Sequence, residues 1–265
     1  MLQKIRVNGV EIAYRIDGAP RAAPWVVLSH SLACDHTMWD PQMEALRDYR
    51  VLRFDTRGHG ASEAPAGEYT MDQLAADAHA LLDALGIERF HFVGLSMGGM
   101  IGQQLALRVP LRMATLTLAD TTSRYPPEAR PIWEQRIGLV QKQGMDALVP
   151  TTLERWFTAR FREQHVETVA RIGAKIRATR VSGYIGCAYA ISHIDLTARL
   201  ANVDCPTLVI VGADDLGTPR EMAEAIVQAI EGSRLEVIEA AAHLSNVEQP
   251  AQFNRLLQAF LASNS

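Results

Sequence analysis

The sequence is poor in cysteine, and the three cysteines that it has form no pattern. Cys34, Cys187 and Cys205 lie far apart among the 265 residues, and neither a C-x-x-C pair nor an H-E-x-x-H motif occurs. Isolated cysteines of this kind argue against a disulfide framework and against a metal site. We therefore expect neither a metal nor another cofactor.

The sequence also lacks a strong bias of charge and any long hydrophobic run. Lys and Arg number 26 against 30 Asp and Glu, a net charge of −4, which gives no reason to expect a nucleic acid as a partner. The N-terminus has no signal-peptide run, and no stretch is long enough to cross a membrane. We expect a cytoplasmic protein without a membrane partner. Hydrophobic residues make up 48% of the chain, enough for one large core or a core with a lid.

What the sequence does contain is an alternation of strand-like and helix-like segments over most of its length. Asn8-Gly9 joins the first two strands as a hairpin signal. The alternation predicts a mostly parallel α/β sheet with helices on both faces, built from residues 1–120 and 200–265. The predicted strands cover residues 4–7, 10–16, 25–28, 51–55, 91–93, 114–119, 207–211 and 235–238, and the predicted helices 37–46, 71–85, 101–109, 219–230 and 250–261.

Between these parts the alternation stops. Residues 121–199 contain no good strand, and helix-like segments follow one another there. Such an insertion predicts a helical cap, or lid, over the carboxyl ends of the strands. It holds twelve Lys and Arg against seven Asp and Glu, a net charge of +5, whereas the remainder carries −9. Solvated helix faces would explain this excess, and so would a lid that attracts an anionic substrate.

A Gly-x-Ser-x-Gly sequence is the strongest chemical signal. An apolar run leads into Gly94-x-Ser96-x-Gly98, and a helix-forming segment follows. A strand, a sharp turn and a helix in this order expose the serine hydroxyl at the sheet edge, with the helix N-terminus directed at any oxyanion that forms. Ser96 is therefore the candidate nucleophile.

A serine nucleophile needs a base and a group that orients the base. His243 follows a late strand and is the candidate base, because the edge that presents Ser96 also presents the loop after that strand. For the acid we favour Asp215, with its neighbour Asp214 capping the turn. Asp120, at the end of an earlier strand, is the alternative.

The oxyanion hole has two candidate backbone donors. They are the N–H of Met97, directly after the serine, and the N–H of Leu32, in the loop after the third strand. In that loop His30-Ser31-Leu32 stands where many esterases have His-Gly, which leaves the N–H available but adds a side chain at Ser31. For His30, a structural role is at least as strong an interpretation as a catalytic one.

These motifs together resemble the α/β-hydrolase superfamily over nearly the whole chain. The resemblance implies the α/β-hydrolase fold with a helical lid and a Ser-acid-His triad. The motifs that carry it are Gly94-x-Ser96-x-Gly98-Gly99, Asp55-x-Arg57-Gly58-His59-Gly60-x-Ser62, Gly212-x-x-Asp215-x-x-Thr218-Pro219 and the His243 loop.

A narrower set of residues points to one family. They are His30-Ser31-Leu32, 38–42, 94–103, Trp133-x-x-Arg136-Ile137, 143–145, 154–158 and Gly183-Tyr184. In these residues the chain resembles the 3-oxoadipate enol-lactonases. This resemblance implies hydrolysis of an enol-lactone that carries a carboxylate, a late step in the breakdown of aromatic acids. A small anionic lactone is then the expected partner, with Trp133 and Arg136 as substrate contacts, although Trp133 is equally suited to core packing.

Other functions stay open on the same residues. A general carboxylesterase or a cofactor-free haloperoxidase-like perhydrolase would use the same triad, and a lyase on this scaffold is also compatible with it. A non-catalytic receptor would be favoured by the loss of a triad residue, and all three are present. Ser96 excludes an aspartate nucleophile of the dehalogenase kind. The sequence gives no oligomeric state.

Overall fold

Eight strands form one sheet in the computed structural model, which describes residues 1–20 and 22–264. Their order is β1-β2-β4-β3-β5-β6-β7-β8, with antiparallel pairing of β1 with β2 and of β2 with β4, and parallel pairing elsewhere. The predicted, mostly parallel α/β sheet is confirmed. The strands are β1 (Gln3–Val7), β2 (Val10–Gly18), β3 (Trp25–Ser29), β4 (Arg50–Phe54), β5 (Phe90–Leu95), β6 (Met113–Ala119), β7 (Thr207–Gly212) and β8 (Arg234–Ile238).

Ten α-helices accompany the sheet in the described residues. The helix predicted over 37–46 is wrong: His36–Gln42 forms a 3₁₀ helix with Pro41 inside it, and a proline lacks the N–H that an α-helix interior needs. The helices are α1 (Met71–Ala84), α2 (Met97–Arg108), α3 (Arg130–Gln143), α4 (Val149–Trp156), α5 (Ala159–Gln164), α6 (Val166–Ala178), α7 (Val181–Ser192), α8 (Arg220–Ala229), α9 (Ser245–Glu248) and α10 (Pro250–Ala262).

The hairpin between β1 and β2 follows from its two turn residues. Asn8 and Gly9 have φ angles of 48° and 77°. A two-residue turn with both φ angles positive matches the twist of antiparallel strands, and Asn-Gly is the pair that adopts it most readily. The register continues to Gln3 opposite Tyr14, as the hairpin signal predicted.

The central strands place polar residues at one edge of the sheet. Every residue of β5 and β7 is buried, as expected for parallel strands covered on both faces. Polar residues then follow the carboxyl ends of five neighbouring strands: Ser31 after β3, Ser96 after β5, Asp120 after β6, Asp215 after β7 and His243 after β8. The topology therefore collects all of the candidate catalytic groups on one edge.

Residues 121–199, the cap, contain α3 to α7 and no strand. Close backbone approach and ion pairs join the cap to the core. A Cβ at Gly183 would lie 2.1 Å from the carbonyl oxygen of Gly58, so both glycines are needed for this contact. Lys175 of α6 forms an ion pair with Asp35 of the core at 2.6 Å.

None of the helices in the described residues is long and apolar enough to cross a bilayer. No group of three or more His, Cys, Asp or Glu side chains in the same residues is arranged to hold a metal ion.

Candidate active site

Ser96 lies at a strained turn between β5 and α2. Its φ of 54° is in the left-handed region, which a residue with a side chain rarely adopts. A Cβ at Gly94 would lie 2.2 Å from the carbonyl oxygen of Gly98, and one at Gly98 would lie 2.0 Å from that of Ser29. The turn can form only because these two positions have no side chain.

A chain of hydrogen bonds joins Ser96, His243 and Asp215. The imidazole Nε2 of His243 lies 2.9 Å from the Oγ of Ser96, and its Nδ1 lies 2.8 Å from Oδ2 of Asp215. All three residues are buried, and the Asp215 side chain is 0% exposed. This is the geometry in which an imidazole can accept the serine proton while a carboxylate fixes its orientation.

The charges around His243 and Asp215 suit a role of His243 as a base. Burial alone would lower the pKa of His243, but the charge and hydrogen bond of Asp215 more than offset this and raise that pKa above its usual value. Burial alone would raise the pKa of Asp215, yet the contacts with His243 and Thr218 hold it below its usual value. Asp215 therefore stays ionised beside an imidazole that binds a proton readily.

The other two candidate acids have different surroundings. Asp120 is fully buried, and its carboxyl accepts from the Gly212 N–H at 2.8 Å and from the Ser245 hydroxyl at 2.5 Å, not from His243. Asp214 is exposed. The prediction that Asp214 caps the turn is wrong.

Asp215 itself caps the turn that follows β7. Its Oδ1 accepts from the N–H groups of Gly217 and Thr218 at 2.7 and 3.1 Å, while Oδ2 contacts His243. One carboxylate thus shapes its own loop and orients the imidazole. Two neighbouring aspartates in a loop follow no periodic pattern, so the sequence could not divide these roles between them.

The two candidate oxyanion donors flank the serine. Met97 is the first residue of α2, so its N–H has no partner within the helix. Leu32 lines the same cleft as Ser96. The hydroxyl of Ser31, which lies between His30 and Leu32, is buried without a hydrogen-bond partner and also lines the cleft.

His30 is a structural residue of the loop after β3. Its Nε2 accepts from the Thr56 N–H at 2.9 Å, and its Nδ1 lies 2.7 Å from the Ser31 carbonyl oxygen. Burial lowers the pKa of His30, so the ring is neutral at physiological pH. Both ring nitrogens hold backbone in place, which supports the structural interpretation.

A cleft of about 490 Å³, its open mouth included, lies between the core and the cap. Arg136 of α3 lines it, with Nε 3.2 Å from the Tyr184 hydroxyl and its guanidinium 5.3 Å from the centre of the Trp133 ring. Trp133 also lines the cleft and meets Tyr125 edge-on at 5.7 Å. The lining residues are Ser31, Leu32, Ser96, Met100, Tyr125, Trp133, Arg136, Thr152, Arg155, Trp156, Ile191, Gly217 and His243.

Helix α4 contributes three lining residues that were not among the predicted site residues. Thr152, Arg155 and Trp156 are spaced i, i+3 and i+4, so they share one face of the helix. Trp156 stacks on the imidazole of His243, with ring centres 6.1 Å apart. The helical spacing predicts that these three side chains share a face, but it does not reveal whether that face meets the loops that carry Ser96, Asp215 and His243.

Comparisons with known proteins agree with this fold. A family model described as the α/β hydrolase fold matches residues 24–250. The 3-oxoadipate enol-lactonase 2 of Acinetobacter baylyi is 39% identical over 239 residues, covering 90% of this chain and 88% of that protein. RutD of Agrobacterium fabrum, which its name proposes as a carbamate hydrolase, is 34% identical over 251 residues, covering 91% of this chain and 95% of that protein.

A solved structure extends the agreement to three dimensions. The crystal structure of the enol-lactonase from Burkholderia xenovorans LB400 matches with a TM-score of 0.94 at 41% identity, covering 98% of this chain and 100% of that chain. Both resemblances predicted from the motifs are therefore confirmed. The chain belongs to the α/β-hydrolase family and is similar, within it, to the 3-oxoadipate enol-lactonases.

Proposed function

We propose that this protein hydrolyses a carboxylate-bearing enol-lactone, converting 3-oxoadipate enol-lactone to 3-oxoadipate. One observation carries the proposal: the hydrogen-bonded chain of Ser96, His243 and Asp215 opens into a cleft that has two arginines and no acidic residue in its lining. The names of the enol-lactonases from A. baylyi and B. xenovorans supply the candidate substrate.

The reaction begins with attack of the Ser96 hydroxyl on the lactone carbonyl. His243 takes the serine proton, and the N–H groups of Leu32 and Met97 hold the oxyanion of the tetrahedral intermediate. The ring C–O bond then breaks, and the enol oxygen leaves with the proton from His243. An enol is a good leaving group, so this acylation is chemically easy.

The second half of the reaction releases the acid. Water attacks the acyl-enzyme with His243 as base, and the Ser96 oxygen leaves with the proton returned by the imidazolium. The enol tautomerises to a ketone, and the new carboxylic acid loses its proton at neutral pH. One water is consumed, and a monoanion becomes a dianion.

Arg136 is the residue that we assign to the carboxylate of the substrate. Its guanidinium is half-buried in the cleft and is oriented by Tyr184 and Trp133. A charge-assisted hydrogen bond in such a site is worth about 1.5–3 kcal/mol. Recognition of the anion therefore comes mainly from α3 of the cap, and simple uncharged esters lack the group that it holds.

The proposal is tested with four substrates and one variant. The purified protein is assayed with the enol-lactone, its uncharged methyl ester, p-nitrophenyl acetate and a carbamate. We expect the highest kcat/KM for the carboxylated lactone. Arg136→Ala should raise KM for that substrate roughly ten- to a hundredfold, because about 1.4 kcal/mol corresponds to each factor of ten, and it should change KM for the neutral methyl ester far less.

Arg160→Ala is the matched control, because Arg160 is an exposed arginine of the cap outside the lining of the cleft. Its kinetics should equal those of the unchanged protein. Equal losses on charged and neutral substrates in Arg136→Ala would make Arg136 a structural residue. A preference for the carbamate or the simple ester would assign the function to those classes instead.

A further inference from the structure

The cleft holds more positive charge than the proposed substrate needs. Arg136 and Arg155 both line it, and within the part of the chain that the structure describes no carboxylate lies within 4.0 Å of either guanidinium to form an ion pair. The lactone carries one carboxylate, which Arg136 is sufficient to hold. Arg155 is half-buried and has no acidic partner among the described residues, so its guanidinium is available to a second anionic group.

Arg155 lies beside the loop after β7, which carries Asp215. Its Nη2 is 3.4 Å from the carbonyl oxygen of Leu216, next to Asp215 in sequence. The following residue, Trp156, stacks on His243, and its carbonyl oxygen accepts from the Leu244 N–H at 3.2 Å. Arg136, in contrast, contacts Tyr184 of α7 within the cap. Both arginines act electrostatically on Tyr125 and Tyr184, but their hydrogen bonds differ: Arg136 contacts another helix of the cap, and Arg155 contacts the loop after β7.

A second polar group accompanies Arg155 on the same helix face. Thr152, three residues earlier, is 3% exposed, and its hydroxyl has no hydrogen-bond partner although it lines the cleft. A buried hydroxyl left unpaired costs free energy, and the Thr152 hydroxyl lines the cleft, where a ligand can pair with it. This observation is independent of the charge of Arg155.

We propose that Thr152 and Arg155 form a second anion subsite, which takes the carboxylate that hydrolysis creates. The new carboxylate arises at Ser96 beside His243, and Arg155 contacts the loop after β7, which carries the carboxylate partner of His243. The protein then binds a linear dicarboxylate with one end at Arg136 and the other at Arg155. The identity of the reaction rests on the proposed function, whereas the two-ended recognition rests on the arginines and the threonine themselves.

The subsite has a consequence for turnover. Hydrolysis changes a monoanion into a dianion, so the product gains a charged contact that the substrate does not have. Interactions made only with the product slow its release without assisting the chemical step. Six-carbon dicarboxylates are therefore expected to inhibit the enzyme, and monocarboxylates of the same length to inhibit it much less.

The test measures binding directly, by isothermal titration calorimetry with adipate and with hexanoate, which has the same six carbons and one carboxylate. The unchanged protein should bind adipate roughly ten- to a hundredfold more tightly than hexanoate, the range for one charge-assisted hydrogen bond. Arg155→Gln should remove that preference by weakening adipate, while hexanoate retains Arg136. Thr152→Val, of nearly the same shape, should weaken adipate roughly three- to tenfold.

Arg160→Gln is the charge-matched control and should bind both acids as the unchanged protein does. Thermal unfolding of each variant checks that it is folded. Equal affinity of the unchanged protein for both acids, or equal weakening of both by Arg155→Gln, would overturn the subsite. Because no step of this measurement uses catalysis, an adipate preference without lactonase activity would refute the proposed function and leave the subsite standing.

Discussion

Asp215 and Asp120 are two buried carboxyl groups near His243, and they differ in the partners of their carboxyl oxygens. Asp215 places one oxygen on the imidazole and the other on its own loop, whereas Asp120 places its oxygens on Gly212 and Ser245. Burial and the nearby charge of Asp215 raise the pKa of Asp120 above the usual range of an aspartate. A protonated Asp120 avoids a second buried negative charge beside the pair.

Substitution of the three aspartates separates their roles. Asp215→Asn should lower kcat on the order of 10⁴-fold, because the amide favours the wrong imidazole tautomer. Asp120→Asn should cost far less, because an amide still accepts from Gly212 and can contact Ser245. Asp214→Asn, at an exposed position, should have no effect. Steady-state kinetics decide the matter, and a large loss in Asp120→Asn alone would assign the acid to β6.

The pKa of His243 predicts the acid limb of the pH profile. His243 must be neutral to accept the Ser96 proton, and the charge and hydrogen bond of Asp215 raise its pKa above the usual value of a histidine. The kcat/KM for the free enzyme should therefore fall on the acid side at a higher pH than it would with an ordinary histidine as the base.

Removal of the Asp215 charge should move this titration to lower pH, because burial then acts on the imidazole without the opposing carboxylate. An NMR titration of the His243 ring in Asp215→Asn measures the shift independently of the residual rate. An unchanged imidazole pKa in that variant would contradict the electrostatic role of Asp215.

At the scale of elements, the strands and most helices were predictable because their patterns are local. A buried parallel strand is a short apolar run, and a surface helix repeats its apolar residues every three to four positions. Both patterns identified the strands from β1 to β8 within two or three residues and the helices α1, α8 and α10 within about two. The 3₁₀ helix at His36–Gln42 was missed because the apolar spacing resembled an α-helix, while Pro41 prevents one.

For the helices of the cap, the sequence predicted less about which element each helix packs against. Their apolar faces are satisfied by each other and by the core, so spacing predicts a helix without predicting its neighbour. Helix α4 illustrates this. Its cleft-facing residues Thr152, Arg155 and Trp156 are evident only once Trp156 is seen stacked on His243.

For the whole molecule, most of the charge difference between cap and core lies outside the cleft. The cap has twelve basic residues, and two of them, Arg136 and Arg155, line the cleft. Others form ion pairs on the surface, as Arg177 does with Asp146, or join the cap to the core, as Lys175 does with Asp35. The net charge of +5 is thus mostly a matter of solvated faces, and only two of the basic residues of the cap line the cleft.

The place where the candidate site residues meet was predictable, since parallel strands bring their carboxyl ends to one edge of the sheet. That rule brought Ser96 together with His243, 147 positions later in the chain, and with Asp215. It says nothing about the cleft above them, because the cap determines the cleft.

The most direct test of the account is the turnover of the enol-lactone by Ser96→Ala. The unchanged protein should hydrolyse the lactone, and the variant should lose about 10⁴-fold or more in kcat, since the hydroxyl that attacks the lactone in the proposed reaction is removed. Its thermal unfolding should be unchanged. Near-normal turnover in a folded Ser96→Ala protein would contradict the serine mechanism.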